Sequence, residues 1–265
     1  MKIKENKNYI FIGGKNLGYN SLEYLVKKKF YPSFVVPNKD DLGKDNIFNK
    51  SVLKFAKKKK LKIINLQSLS NLINKKKGIK VDIIFCIGST QILPLNVLNV
   101  AKNGVINIHP SLLPKYRGRY SLVHAIFNGE KTTGATAHFI SNKIDSGRVI
   151  MQKKFIIKKD DTSQDLYEKF TNTGFFIFKK IVNIWIKDKK INSHIYKGKT
   201  PLYKNKSLPN NGILNWNWKT KKIYNFFRAV LHEPFLPPSL YIGKRRFYLC
   251  KEDQIKKEKF LKSPL

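Results

Sequence analysis

Residues 9–26, YIFIGGKNLGYNSLEYLV, are the stretch on which the fold class turns. Residues 9–12 form an apolar run that stops at Gly13 and Gly14. Leu17, Leu22, Leu25 and Val26 then recur at helical spacing, so the stretch reads as strand, turn and helix. Residues 34–36, closed by Pro37, predict a second strand, and residues 51–60 a helix with Val52, Leu53 and Ala56 on one face. Residues 61–64 and 81–87 predict further strands, the second apolar almost throughout, as expected where both faces are covered. Strands alternating with helices in this way predict an α/β fold on a parallel sheet. Downstream, residues 134–140 and 148–157 are strand-like, with turn residues between them. Thr162 with Asp165 three positions on resembles a capping box, and opens a helix carrying Leu166, Phe170, Phe178, Val182 and Trp185 that ends near Lys187. Beyond Thr200 the texture changes to Pro, Asn, Gly and aromatics. The predicted division is therefore a large domain over 1–195 and a small one over 196–265.

A glycine turn after the first strand invites a dinucleotide reading. The fingerprint G-x-G-x-x-G would place its second glycine at position 15, where this chain has Lys15, so a structural turn is the better reading.

Composition bounds the function classes. The 265 residues carry 53 Lys plus Arg against 17 Asp plus Glu, a formal charge of +36. Apolar residues make up 42%, enough to bury a core despite that charge, so a folded protein is expected. Only six of the basic residues are Arg, and the Lys runs are spread from end to end. An even Lys coat reads as compositional bias rather than a polyanion groove, which would cluster charge and favour Arg, so nucleic acid is not the expected partner. No apolar run is long enough to span a membrane, and the N-terminus lacks the apolar core and cleavage site of a signal peptide. Cys86 and Cys250 are too few for a disulfide framework or a cysteine metal site; a cytoplasmic protein without a metal is expected.

The chemistry concentrates in residues 107–118, NIHPSLLPKYRG. They follow a short apolar strand, so Asn107 and His109 fall at the carboxyl end of a strand, where open α/β sheets bind their ligands. Two apart on extended backbone, they face the same way. Downstream, Asp145 lies in the turn IDSG, residues 144–147. Asn, neutral His and Asp together are the parts needed for acyl transfer to an amine. Asn donates to a developing oxyanion, His moves the amine proton, and Asp orients or helps charge the His. No Cys or Ser sits in a nucleophile elbow, so direct transfer is the simpler route.

Residues 107–118 together with 134–152, GATAHFISNKIDSGRVIMQ, resemble the folate-dependent formyltransferases, a family that includes glycinamide ribonucleotide formyltransferase, methionyl-tRNA formyltransferase and the sugar-nucleotide N-formyltransferases. The resemblance covers about residues 8–190. It implies a Rossmann-like parallel-sheet catalytic domain over 1–195 with a small β-rich C-terminal appendage. It also implies N10-formyltetrahydrofolate as formyl donor, and Asn107, His109 and Asp145 as the catalytic trio. Residues 86–94, CIGSTQILP, fall on the family's pterin-binding loop. Gly88, Gln91, Ile92 and Leu93, with Ser141 and Ile144 of the later loop, are the implied folate contacts.

The tail narrows the acceptor. LPNNGILNWNW (208–218), IYNFFRA (223–229) and PFLPP (234–238) resemble the corresponding region of the sugar-nucleotide enzymes, with Asn215 standing where relatives more often carry Asp. The expected acceptor is a nucleotide-linked amino sugar such as dTDP-4-amino-4,6-dideoxyglucose. Arg117, Arg119 and Lys115 are candidates for its diphosphate, because a guanidinium fork meets two phosphate oxygens at once. Trp216 and Trp218 are read as packing residues. Methionyl-tRNA formyltransferase is the alternative; the charge favours it, and the 65 residues after Thr200 are expected to be too few for its tRNA-binding barrel. A catalytically idle RNA-binding module is a third reading, which leaves the Asn, His and Asp set unexplained. The oligomeric state stays open, a homodimer included.

Overall fold

The computed structural model describes residues 7–249 apart from 47, 76–78, 197, 199, 205–207 and 231–237. The elements in chain order are β1 (Tyr9–Gly13), α1 (Lys15–Lys27), β2 (Phe34–Pro37), α2 (Val52–Lys58), α3 (Leu66–Lys75), β3 (Ile83–Ile87), α4 (Leu95–Asn99) and β4 (Val105–His109). They continue as β5 (Arg117–Gly118), α5 (Ser121–Phe127), β6 (Thr132–Phe139), β7 (Val149–Ile156), α6 (Ser163–Ile186), β8 (Leu202–Tyr203), α7 (Thr220–Val230), β9 (Ser239–Ile242) and β10 (Arg245–Tyr248).

Six strands form the central sheet in the order β2-β1-β3-β4-β6-β7. The first four run parallel, while β6 pairs antiparallel with both β4 and β7. The fold is thus the expected Rossmann-like α/β class, with a parallel-dominated rather than wholly parallel sheet. Alternation along each strand sorts side chains between two cores. Tyr9, Phe11, Phe85, Ile87, Ile106 and Ile108 pack with α1, α2, α5 and α6, whereas Ile10, Ile12, Cys86 and Val105 pack with α3 and α4. On the first face Phe85 meets Phe178 and Trp185 edge-on at 5.2 and 5.5 Å. Parity then dictates that Asn107 and His109 share the second face with Val105. The two short helices α3 and α4 lie on this face, and the site residues extend beyond them.

The glycine turn is structural. A Cβ on Gly13 would lie 2.0 Å from the Ile87 carbonyl oxygen, and one on Gly18 2.7 Å from it. Gly14 N–H donates to that same oxygen at 3.2 Å. The glycines therefore seat the start of α1 on the end of β3. The capping box at α6 is formed, with Thr162 and Asp165 bonded reciprocally. Residues 61–64 depart from expectation: Ile63 makes only an isolated bridge with Val35. The Asn65 side chain accepts from Ser68 N–H at 2.8 Å and turns the chain into α3, which cuts the strand short.

The C-terminal segment packs on α5. Phe226, Ala229 and Val230 of α7 join the same core as Leu122, Val123 and Ile126. Trp218 sits edge-on to Phe127 and Phe226 at 5.2 and 5.5 Å, the packing role expected of it, while Trp216 is exposed. β9 and β10 form the small β element there, and β8 pairs in parallel with β5. Residues 234–237 of the PFLPP stretch lie outside the described residues. No described helix is long and apolar enough to cross a membrane.

Candidate active site

The end of β4, the loop from Pro110 to Tyr120 and the turn between β6 and β7 meet at one point. His109 is buried at the tip of β4. Its Nε2 is 2.9 Å from the Tyr116 carbonyl oxygen and 3.1 Å from Ser121 Oγ, and its Nδ1 is 3.3 Å from Asp145 Oδ2. A carbonyl only accepts, so Nε2 carries the hydrogen, and the neutral ring holds its lone pair on Nδ1 beside the carboxylate. Burial pushes the His109 pKa down, opposed by Asp145 and by the bond to Tyr116. For Asp145, burial works upward but is outweighed by His109, His138 and the Gly118 N–H, which hold it down at about 2. The pair therefore rests as carboxylate and neutral imidazole, with Nδ1 the basic atom.

Asn107 lies directly across from His138 in the β4–β6 register. Asn107 Nδ2 is 3.2 Å from His138 Nε2, and His138 Nδ1 is 2.9 Å from the Phe139 carbonyl oxygen. That carbonyl fixes the hydrogen on Nδ1, so Nε2 accepts from the Asn107 amide. Asp145 Oδ1 lies 3.5 Å from the same Nε2. The four side chains form one continuous cluster of amide, two imidazoles and a carboxylate. Its chemical capacity is specific: an N–H donor for an oxygen gaining charge, beside a neutral base whose charged form Asp145 supports against the cost of burial. Below it, Thr136 Oγ1 donates to Ser111 O at 2.6 Å and accepts from Leu113 N–H and Gln152 Nε2, which fixes the loop's entry.

The expected trio is thus brought together. A model of the formyl transferase family matches residues 11–182. The chain belongs to that family. It is 35% identical over 237 residues to the bifunctional polymyxin resistance protein ArnA of Wigglesworthia glossinidia brevipalpis, an alignment spanning 89% of this chain but only 36% of that relative. It is 29% identical over 233 residues to the methionyl-tRNA formyltransferase of Thermodesulfovibrio yellowstonii, covering 85% and 74% of the two chains. Among solved structures, the sugar 3N-formyl transferase WlaRD, crystallised in the presence of dTDP and 5-N-formyl-THF, superposes with a TM-score of 0.75 at 30% identity. That alignment covers 86% of this chain and 81% of the other. An N-formyltransferase from Helicobacter canadensis, in complex with folinic acid and dTDP-3-aminofucose, gives 0.76 at 29% identity, covering 91% and 85%.

The remaining sequence candidates of this formyl transferase fall in three places. Gly88, Gln91, Ile92 and Leu93 occupy the loop between β3 and α4, where Asn38 bonds both Gly88 O and Thr90 N–H and Gln91 Nε2 donates to Pro37 O. A cleft of about 940 Å³ opens beside Gln91, Ile92 and Leu93, walled opposite by Asn38, Lys39 and the start of α3. Ser141 and Ile144 lie on the turn that carries Asp145, and Ile92 and Ile144 both expose large apolar side chains, at 83% and 46%. Arg117 aims its Nε and Nη2 at the Ile144 carbonyl oxygen, 3.1 and 2.7 Å away, and Lys115 pairs with Glu130 at 3.0 Å. Arg119 is exposed, and its side chain has no hydrogen bond or ion pair among the described residues.

Sequence reasoning passed over His138, Tyr116 and Ser121. The signal for His138 lay in strand parity: Thr136 and His138 alternate with Ala135 and Ala137, which places a histidine on the polar face of a strand just before the Asp145 turn. Tyr116 acts through its carbonyl, which no side-chain pattern announces.

Proposed function

We propose that this chain is a folate-dependent N-formyltransferase that moves the formyl group of N10-formyltetrahydrofolate to the amine of a nucleotide-linked amino sugar. The observation that carries the reading is the convergence of Asn107, His109 and Asp145 on one cluster, in a chain whose sugar N-formyltransferase neighbours align over 86 to 91% of it at 29 to 30% identity. In this reading residues 1–195 carry out transfer and residues 196–265 form the smaller acceptor-side appendage.

The donor fits the site by its exposed apolar side chains. Gln91, Ile92 and Leu93 line a cleft large enough for a folate-sized molecule, and Ile144 exposes its apolar side chain on the separate turn that carries Asp145. When bound, the folate supplies an activated formyl carbon. Asn107 gives one amide hydrogen to His138, and its second is available to the formyl oxygen as that oxygen gains charge. His109 Nδ1 takes the proton of the attacking amine, and the Asp145 carboxylate stabilises the imidazolium so formed. A C–N bond to the acceptor forms, the C–N10 bond breaks, and the proton held on His109 is available to the departing N10. The nearby hydroxyls of Ser111 and Ser121 both donate to backbone carbonyls, so the residues present support direct transfer.

For the acceptor, the two neighbours near 30% identity are a sugar 3N-formyl transferase and an N-formyltransferase in complex with dTDP-3-aminofucose, which puts a dTDP-linked 3-amino sugar first and the 4-amino isomer second. Arg119, free to turn its fork outward, is the proposed diphosphate contact. The test is to incubate the protein with N10-formyltetrahydrofolate and dTDP-3-amino sugars, dTDP-4-amino sugars, UDP-amino sugars or charged initiator tRNA, and to read the mass gain of one formyl group. The tRNA arm is included because of the alignment with methionyl-tRNA formyltransferase. Formylation of the tRNA with none of the sugars would overturn the proposed acceptor.

A further inference from the structure

We propose that Tyr196, on the segment beyond the matched family region, is a positioning residue for Asp145. The proposal rests on the catalytic reading of Asp145 above. Asp145 adopts φ 47, a left-handed backbone that a residue with a side chain keeps only where its surroundings over-determine it. Three contacts do so. Arg117 grips the Ile144 carbonyl, Gly118 N–H donates to Asp145 Oδ2 at 2.8 Å, and the Tyr196 hydroxyl donates to the Asp145 carbonyl oxygen at 2.7 Å. Of these, only the Tyr196 bond acts on the main chain of Asp145 itself. Fixing that peptide sets where the carboxylate stands, 3.3 Å from His109 and 3.5 Å from His138.

Tyr196 is itself anchored on both sides. Before it, His194 exchanges two backbone hydrogen bonds with Val149 at 2.8 and 2.9 Å, and Arg148 Nη2 donates to Ser193 O at 2.7 Å. After it, Thr200 bonds the Pro114 carbonyl, and Leu202 and Tyr203 pair with Arg117 and Gly118. The segment therefore ties the two loops that carry the site to each other. A Cβ on Gly118 would stand 2.1 Å from Tyr203 O, so that crossing is as close as backbone permits. Burial raises the Tyr196 phenol pKa, which keeps the hydroxyl a donor into mildly alkaline solution.

Tyr196→Phe removes the hydroxyl and keeps the ring. Its kcat should fall by about fivefold, the worth of one neutral hydrogen bond, with KM for both substrates within about twofold. The acidic limb of its kcat profile should move to lower pH. Asp145, His138 and Arg117 are the charged or titratable groups acting on His109, and a displaced carboxylate supports the imidazolium less. In an Asp145→Asn background the same change should cost nothing further, because both act through one group. An unchanged kcat in Tyr196→Phe, or a loss additive with Asp145→Asn, overturns the positioning role alone. Asp145→Asn with wild-type turnover overturns the catalytic reading of Asp145, and this inference with it.

Discussion

Asn107 and His138 face each other across the antiparallel strands β4 and β6, amide nitrogen to imidazole nitrogen, 3.2 Å apart. Because the Phe139 carbonyl holds the hydrogen of His138 on Nδ1, the imidazole can only accept at Nε2, and the amide must turn its NH₂ toward the site. Asn107→Ala should lower kcat by roughly a hundredfold, about 3 kcal/mol in the transition state, without raising KM for the donor. His138→Leu, which cannot accept, should cost part of that loss, and His138→Gln should recover some of it. Steady-state kinetics on the three variants checks the ordering.

His109→Ala should reduce turnover by about a hundredfold or more while acceptor affinity, read by calorimetry, stays near wild type. Wild-type turnover in this variant would remove His109 from the proton-transfer role.

The pH dependence follows from the two perturbed groups. Burial lowers the His109 pKa, so the acidic limb of the rate profile should lie below the usual histidine range near 6.5. Asp145→Asn should move that limb lower still, since the charge that supports the imidazolium is gone. Stability has the same direction. Asp145 has its pKa depressed to about 2, so its contribution is fully present above about pH 4 and is lost as pH falls toward 2. The size is roughly 2 kcal/mol. Denaturant titrations of wild type and Asp145→Asn between pH 6 and 2 should converge at the acid end.

The two arginines after Tyr116 should separate by kinetic signature. Arg119→Lys should weaken binding of the nucleotide sugar, read by calorimetry, and leave kcat nearly unchanged. Arg117→Lys should instead lower kcat, because the guanidinium fork on the Ile144 carbonyl braces the Asp145 turn. Equal acceptor affinity in wild type and Arg119→Lys would place the diphosphate elsewhere.

Local signals in the chain were enough for much of this protein. Apolar runs ending in glycine, helical spacing after Gly14 and the capping box at Thr162 are short-range physics, legible wherever the neighbours sit within a few residues. The proximity of Asn107 to His109 is likewise a property of extended backbone, and Asp145 was reachable through its turn. What lay outside local reach is everything that depends on register or on carbonyls. The antiparallel insertion of β6 brings His138 onto Asn107 across 31 positions, and nothing within one strand specifies its partner. The Tyr116 carbonyl that selects the His109 tautomer, and the Ile144 carbonyl that engages Arg117, are backbone groups whose aim exists only once the loops are packed. The chain by itself therefore determined which residue types could perform the chemistry. Tertiary structure decided their protonation, their orientation and which cations remained free, because those properties are set by partners distant in sequence.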